Sequence, residues 1–170
     1  PIGKIASQNL HQSSSVDYLI ISPNIFLSEA QRLASFHQQQ YRYAVKVVSA
    51  EQIYNEFGGG NISPVAIRNF IKMYYDKAGN DSTKRPRFVL LFGAGSYAIK
   101  HSINNKKNFI PCYESDNSLD PLSTYTTDDF YALLKDEDDL NALSTFEKLD
   151  IAVGRLPITT AYEARTVVDK

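Results

Sequence analysis

Three short stretches hold the residues best suited to chemistry. The first, Gly93-Ala94-Gly95-Ser96-Tyr97-Ala98, fits G-x-G-x-x-[GA]. After a strand and before a helix, that pattern holds a phosphate on free backbone N–H groups. Glu114 falls near the place where such a site carries a ribose-binding acid. Here, however, the pattern follows the third apolar run rather than the first, and the polar residues 101–108 leave room for only about two helical turns. A tight turn at a strand's carboxyl end satisfies the same letters. A nucleotide-binding domain built on Gly93–Ala98 therefore stands as an alternative function, not the leading one.

The second stretch contains Cys112, the single cysteine and so the one thiol nucleophile available; His11, His37 and His101 are the only imidazole bases it could use. Pro111 beside it and its apolar neighbours suit a buried structural thiol. His37 falls on the inner stripe of a helix near its end, where a packed imidazole is the plainer reading. The third stretch is acidic: Asp128, Asp129, Asp136, Glu137, Asp138 and Asp139 crowd residues 128–139. Asp128, Asp129, Asp136 and Asp138 are candidate calcium ligands, since that ion takes six to eight oxygens. The spacing is not that of an EF-hand, and a solvated acidic turn is the preferred reading. No two of these acids stand apart as a hydrolytic pair.

The elements that must position these residues follow from periodicity. Residues 17–22, 44–49 and 87–92 are short apolar runs of the kind buried on both faces in parallel sheets. Residues 109–113 suggest a fourth strand, with Pro111 placing it at a sheet edge, and 149–154 a last one. Between the first two, Ile25, Phe26, Ala30, Leu33, Ala34 and His37 recur at helical spacing, making a βαβ unit with an expected right-handed crossover. A short helix over 51–57 ends at Gly58-Gly59-Gly60. Ser63-Pro64 opens another as N-cap and first-turn proline, with Ile67, Phe70, Ile71 and Tyr74 as its inner face. Thr159 or Thr160 caps a final helix that is expected to run on through Lys170. Residues 114–129 are polar and turn-rich. The alternation predicts an α/β layered sandwich with a mostly parallel sheet over 17–170, after a lead-in or linker over 1–16.

Composition narrows the function further. The chain has 170 residues, enough for one domain, and is 43% hydrophobic, so it can bury a core. Its 18 Lys+Arg against 19 Asp+Glu leave a formal charge of −1, which argues against a nucleic-acid binder. No apolar run approaches the roughly 20 residues of a membrane span. One cysteine and three histidines exclude a disulfide framework and argue strongly against a Cys/His zinc cage, which would need all four of them at one point, so no cofactor is expected beyond the calcium just considered. Opening on Pro1, the chain reads as a piece of a longer protein.

Several segments also resemble one family. Leu149-Asp150-Ile151-Ala152-Val153-Gly154-Arg155-Leu156-Pro157-Ile158-Thr159-Thr160, with Glu163-Ala164, is similar to the D-x-x-V-G-R-x-P-x-x-T-x-x-E-A segment of gingipain-like cysteine peptidases, family C25. Phe88 to Tyr97 resembles that family's strand and turn Y-L-L-L-x-G-D-G-S-Y, with Ala94 departing where the family often has Asp. Thr127-Asp128-Asp129-Phe130-Tyr131-Ala132 resembles its T-D-D-Y-Y-A stretch. Within the family, residues 49–57 and 129–134 are most similar to the sortase-like peptidase of type IX secretion.

The resemblance implies a caspase-like peptidase domain of two subdomains, the second carrying a catalytic His in a G-H-G stretch and a catalytic Cys. This chain contains no G-H-G. It therefore reads as the first, non-catalytic subdomain, with no catalytic residue of its own and the dyad expected downstream of Lys170; Cys112 takes an ordinary strand position of the family. The partners implied are the catalytic second subdomain, secreted cargo whose C-terminal sorting signals are processed, and secretion-system components. The place implied is the cell surface or outer membrane of a Gram-negative bacterium. A non-catalytic surface interaction domain on the same fold is a further alternative.

Overall fold

A computed structural model describes residues 7–12, 14–98, 108–115, 120, 122, 124–138 and 148–170. Four parallel strands form one sheet: β1 (Tyr18–Ser22), β2 (Val45–Ser49), β3 (Phe88–Phe92) and, after a separate two-stranded ribbon of β4 (Tyr113–Glu114) and β5 (Thr126–Thr127), β6 (Ala152–Leu156). Their order is β2-β1-β3-β6, and Leu19 lies level with Lys46 on one side and Val89 on the other. The helices are α1 (Leu27–Tyr41), α2 (Ala50–Phe57), α3 (Pro64–Ala78) and α4 (Ala161–Val168).

Because strand side chains alternate, the central strands feed two cores. Leu19, Ile21, Val89 and Leu91 share a core with Ile53 of α2, Ile67, Phe70 and Ile71 of α3, and Phe130, Tyr131, Ala132 and Leu134. Ile20, Leu90 and Phe92 face Ala30 and Ala34 of α1 and Ala164 of α4. The result is the expected α/β sandwich. Part of the expected lead-in packs as well: Leu10 and Val16 are buried, and the Leu10 N–H donates to the Glu56 carboxylate at 2.9 Å.

Local chemistry sets the helix ends. Ser49 caps α2 in a reciprocal box with Gln52, and Arg42, at φ 60°, closes α1 in the left-handed region. Thr160, not Thr159, caps α4, accepting from the Glu163 N–H at 3.1 Å. Ser63 precedes Pro64 as expected, but its side chain makes no capping bond.

Four expectations are corrected. Ile25 is 60% exposed, because residues 24–26 form a 3-10 turn that rotates it off the inner stripe. Residues 109–112 are not a strand. They form a strap whose Phe109 and Ile110 N–H groups both donate to the Ala94 carbonyl, and Pro111 has no N–H to give a ladder. The last strand begins at Ala152, not 149, and α4 ends at Val168 with Asp169 as its C-cap.

The shift of β6 has a visible cause. Asp150, whose side chain is 6% exposed, turns inward to accept from Lys135 Nζ at 2.8 Å, the Leu134 N–H at 3.0 Å and the Tyr75 hydroxyl at 3.1 Å. Leu149 is left exposed, and the ladder starts only where the Ala152 N–H meets the Arg87 carbonyl. Burial works against the Asp150 charge, but the bonds from Lys135, Leu134 and Tyr75 prevail and hold its carboxyl below the ordinary value. A carboxylate with a depressed folded pKa contributes stability above its unfolded value, and that stability is lost as pH falls through the folded one. Asp150→Asn is expected to cost about 2 kcal/mol at pH 7. It should also shrink the loss of stability that the parent chain undergoes below about pH 4. Urea titrations of both proteins between pH 3 and 7, about the carboxylate range, test this; parallel pH profiles would refute it.

Candidate functional site

The strand order reverses between β1 and β3. In open α/β sheets a ligand lodges in the crevice beyond the carboxyl ends at such a point. Here the chain itself fills that crevice. A Cβ on Gly93 would lie 3.2 Å from Phe109 Cβ, 3.4 Å from Pro23 Cδ and 3.6 Å from Ile110 Cδ1. The Phe109 ring meets Phe26 edge-on, with 5.0 Å between centroids.

The Gly93–Ala98 turn is equally occupied. The Ala94 N–H donates to the Ile158 carbonyl at 2.8 Å, the Ser96 N–H to Asn108 Oδ1 at 2.9 Å and the Ala98 N–H to Ser96 Oγ at 3.1 Å. Residues 94–98 are not helical. These three amides are spent on the protein, which removes the phosphate cradle that the nucleotide-binding alternative needs. Glu114, its supposed ribose acid, stands opposite Thr126 in the β4–β5 ribbon. Gly95 serves close approach instead: a Cβ there would lie 2.0 Å from the Ile110 carbonyl oxygen and 2.7 Å from Arg155 Nη1.

Arg155, at the carboxyl end of β6, organises this end of the molecule. Its Nε and Nη2 donate to the two Asp128 carboxylate oxygens at 2.7 Å each, a fork-to-fork pair. Nη1 donates to the carbonyls of Gly93 and Ile110, both at 2.9 Å. One guanidinium thus ties the end of β3, the strap, the ribbon and β6 together. Burial opposes its charge, yet the Asp128 bonds and charge outweigh that and raise its pKa. Its side chain is 12% exposed. The three stretches singled out in the sequence, 88–97, 127–132 and 149–160, meet at this residue. Sequence reasoning saw Asp128 as a calcium ligand and missed its partner. The available signal was an arginine at the end of a buried strand, where a cation requires a carboxylate.

The remaining candidates are dispersed. Cys112 is half-buried, and its N–H donates to the Ser96 carbonyl. Burial foremost, and Asp128, push its thiol pKa up, while Arg155 pulls it down; the net shift is upward, away from a reactive thiolate. His37 lies at the sheet's other end, edge-on to Tyr18 at 4.9 Å, lining an aromatic hollow of about 270 Å³ with Tyr41, Tyr43 and Phe88. His11 stacks on Phe57 at 4.7 Å and pairs with Glu56. His101 and Asp139 lie outside the described residues. Of the acids, Asp128 is held by Arg155, Asp136 pairs with Lys72 at 3.0 Å, and Asp138 accepts from the Lys135 N–H at 2.8 Å; Asp129 is exposed on the turn after the ribbon. Among the described residues no three His, Cys, Asp or Glu gather as a metal site. Among the described residues, Arg155 and Asp128 form a clamp that fixes the loops at this end of the sheet.

Residues 11–170 match peptidase family C25. A solved structure, dimeric latent PorU from Porphyromonas gingivalis, is similar over 99% of this chain at 33% identity and a TM-score of 0.82. The chain spans 16% of that protein's length. No curated protein sequence matches significantly.

Proposed function

The chain belongs to peptidase family C25, and from that membership we propose that it is the first, non-catalytic subdomain of a cysteine peptidase that processes the C-terminal sorting signals of secreted cargo in type IX secretion. The observation that carries this reading is the likeness to PorU over nearly the whole chain, together with its small share of that protein's length. In this reading a second subdomain of the same polypeptide supplies the His/Cys dyad. Its thiolate attacks the scissile carbonyl and the C–N bond breaks. The C-terminal sorting signal departs as a free amine that takes its proton from the histidine. The cargo stays on sulfur as an acyl-enzyme until water or another amine takes it off. The partners are that second subdomain, cargo and secretion-system components, and the place is the surface of a Gram-negative bacterium. The clamp at Arg155 fits a scaffold role, since it rigidifies loops without presenting a nucleophile and base. Among the described residues no helix is long and apolar enough to cross a membrane.

Peptidase assays test this directly. The 170-residue chain is expected to release no fluorophore from a peptide carrying a cargo sorting signal, and Cys112→Ala to change nothing. A longer polypeptide containing it should cleave that peptide and lose the activity on thiol alkylation. Thiol-dependent cleavage by the 170-residue chain that vanished in Cys112→Ala would overturn the reading, as would an inert longer polypeptide.

A further inference from the structure

The aromatic hollow at the amino end of the sheet takes no part in the clamp. Tyr18 and Phe88 open β1 and β3, α1 contributes His37 and Tyr41 near its end, and Tyr43 lies between α1 and β2. Together they border about 270 Å³. Burial holds the His37 pKa below its ordinary value, so the imidazole is neutral at neutral pH and the lining carries no charge. One charge stands beside it. The Arg87 guanidinium lies 5.4 Å from the Tyr43 ring centroid and 5.3 Å from that of Phe88. Its backbone is fixed on both sides: the N–H donates to the Asp17 carbonyl at 2.8 Å, and the carbonyl accepts from the Ala152 N–H at 3.0 Å. Among the described residues no carboxylate pairs with the Arg87 side chain and no acceptor takes its N–H groups. The neighbouring Asp17 carboxylate accepts from the Ala44 N–H at 2.8 Å. Two rings thus hold a guanidinium with its hydrogen-bonding edge unspent, next to an uncharged aromatic wall.

We propose that this hollow docks a partner polypeptide by taking one of its aromatic side chains, while Arg87 pairs with the carboxylate of an acidic residue beside that aromatic. Size favours a side chain over a free small molecule. The volume falls below the roughly 300–1,000 Å³ of sites that enclose such a ligand, and Tyr41, 53% exposed, leaves the hollow open for a chain to continue outside. Charge decides the residue next to the ring. A cationic neighbour is disfavoured, because Arg87 already covers Tyr43 and Phe88 and no acidic side chain lines the hollow. An acidic neighbour meets a guanidinium that two rings have already oriented, so little ordering is needed on binding. The reach is right as well. Successive Cα atoms lie about 3.8 Å apart, so neighbouring residues can place a ring against Phe88 and a carboxylate on the guanidinium above it.

The chain contains no tryptophan, so the indole fluorescence of an added peptide reports on the peptide alone. The probe is acetyl-Ala-Trp-Asp-Ala-amide, titrated with the 170-residue chain up to about 1 mM. Burial of one ring is expected to give a Kd of about 1 mM or tighter, so that half or more of the probe is bound at the top of the titration. Replacing the probe's Asp with Asn, or Arg87→Gln in the protein, should weaken binding about fivefold, the effect of one exposed ion pair. Tyr41→Ala, at an exposed position, should weaken it about tenfold while the circular dichroism stays unchanged. A probe with Lys in place of Asp should bind more weakly than either. No fluorescence change at about 1 mM would overturn the proposal. So would equal affinity for the Asp and Asn probes, tighter binding of the Lys probe, or full affinity in folded Tyr41→Ala. A longer polypeptide containing this chain should bind the probe equally well; its failure to do so would show that its own further residues cover the hollow, and a partner site would be overturned.

Discussion

Arg155→Ala is expected to be the most damaging single substitution in this chain, costing about 3–5 kcal/mol in urea denaturation. It strands the Asp128 carboxylate, 24% exposed, and leaves the carbonyls of Gly93 and Ile110 without their shared donor. Removing one member of such a pair costs more than the pair contributes, because the remaining charge stays desolvated. Arg155→Lys should recover only part of the loss, since an ammonium cannot make the two parallel bonds to Asp128 and still reach the carbonyls. A double-mutant cycle with Asp128→Ala should give a coupling of about 1–3 kcal/mol. A loss below about 1 kcal/mol in Arg155→Ala, or additive single losses, would mean that the clamp does not hold these loops.

Gly95→Val should cost nearly as much, about 3 kcal/mol or more, for a different reason. The new Cβ would need the space of the Ile110 carbonyl oxygen, 2.0 Å away, and that atom is backbone pinned by Arg155. The strap must move, and the Ile110 and Cys112 amides should exchange with deuterium much faster while those of β1 stay protected. The same variant separates two roles for the glycine. A phosphate-binding Gly95 would show itself as NAD or ATP binding in calorimetry that the valine abolishes. The structure leads us to expect no heat of binding from either nucleotide before or after substitution. Unchanged exchange at Ile110 would show that the turn is looser than its packing implies.

Much of the fold was legible in the sequence. Tyr18–Ser22, Val45–Ser49 and Phe88–Phe92 are near-continuous apolar runs, and only a strand covered on both faces tolerates such a run. The inner face of α3, through Ile67, Phe70, Ile71 and Tyr74, followed from spacing alone. The errors fall where the order of residues along the chain does not reveal which groups bond across it. Phe109–Cys112 has a strand's composition, but its amides are claimed by the Ala94 and Ser96 carbonyls, which lie well before it in sequence. Residues 149–151 are apolar enough to begin a strand, but Asp150 is claimed by Lys135 and Leu134.

What the sequence determined by itself was therefore the layer architecture, the resemblance to family C25 and the lack of a G-H-G histidine. Each rests on residue type and spacing within a short window, which local sterics and apolar burial convert directly into structure. What only the tertiary structure decided was the meaning of the chemically promising residues. Gly95 is a point of backbone contact, Asp128 is the counter-ion of Arg155, and Cys112 and His37 stand at opposite ends of the sheet. Their roles depend on which carbonyls and charges lie within about 3 Å, the range of a hydrogen bond. That proximity is created only when segments dozens of residues apart fold onto the same end of one sheet.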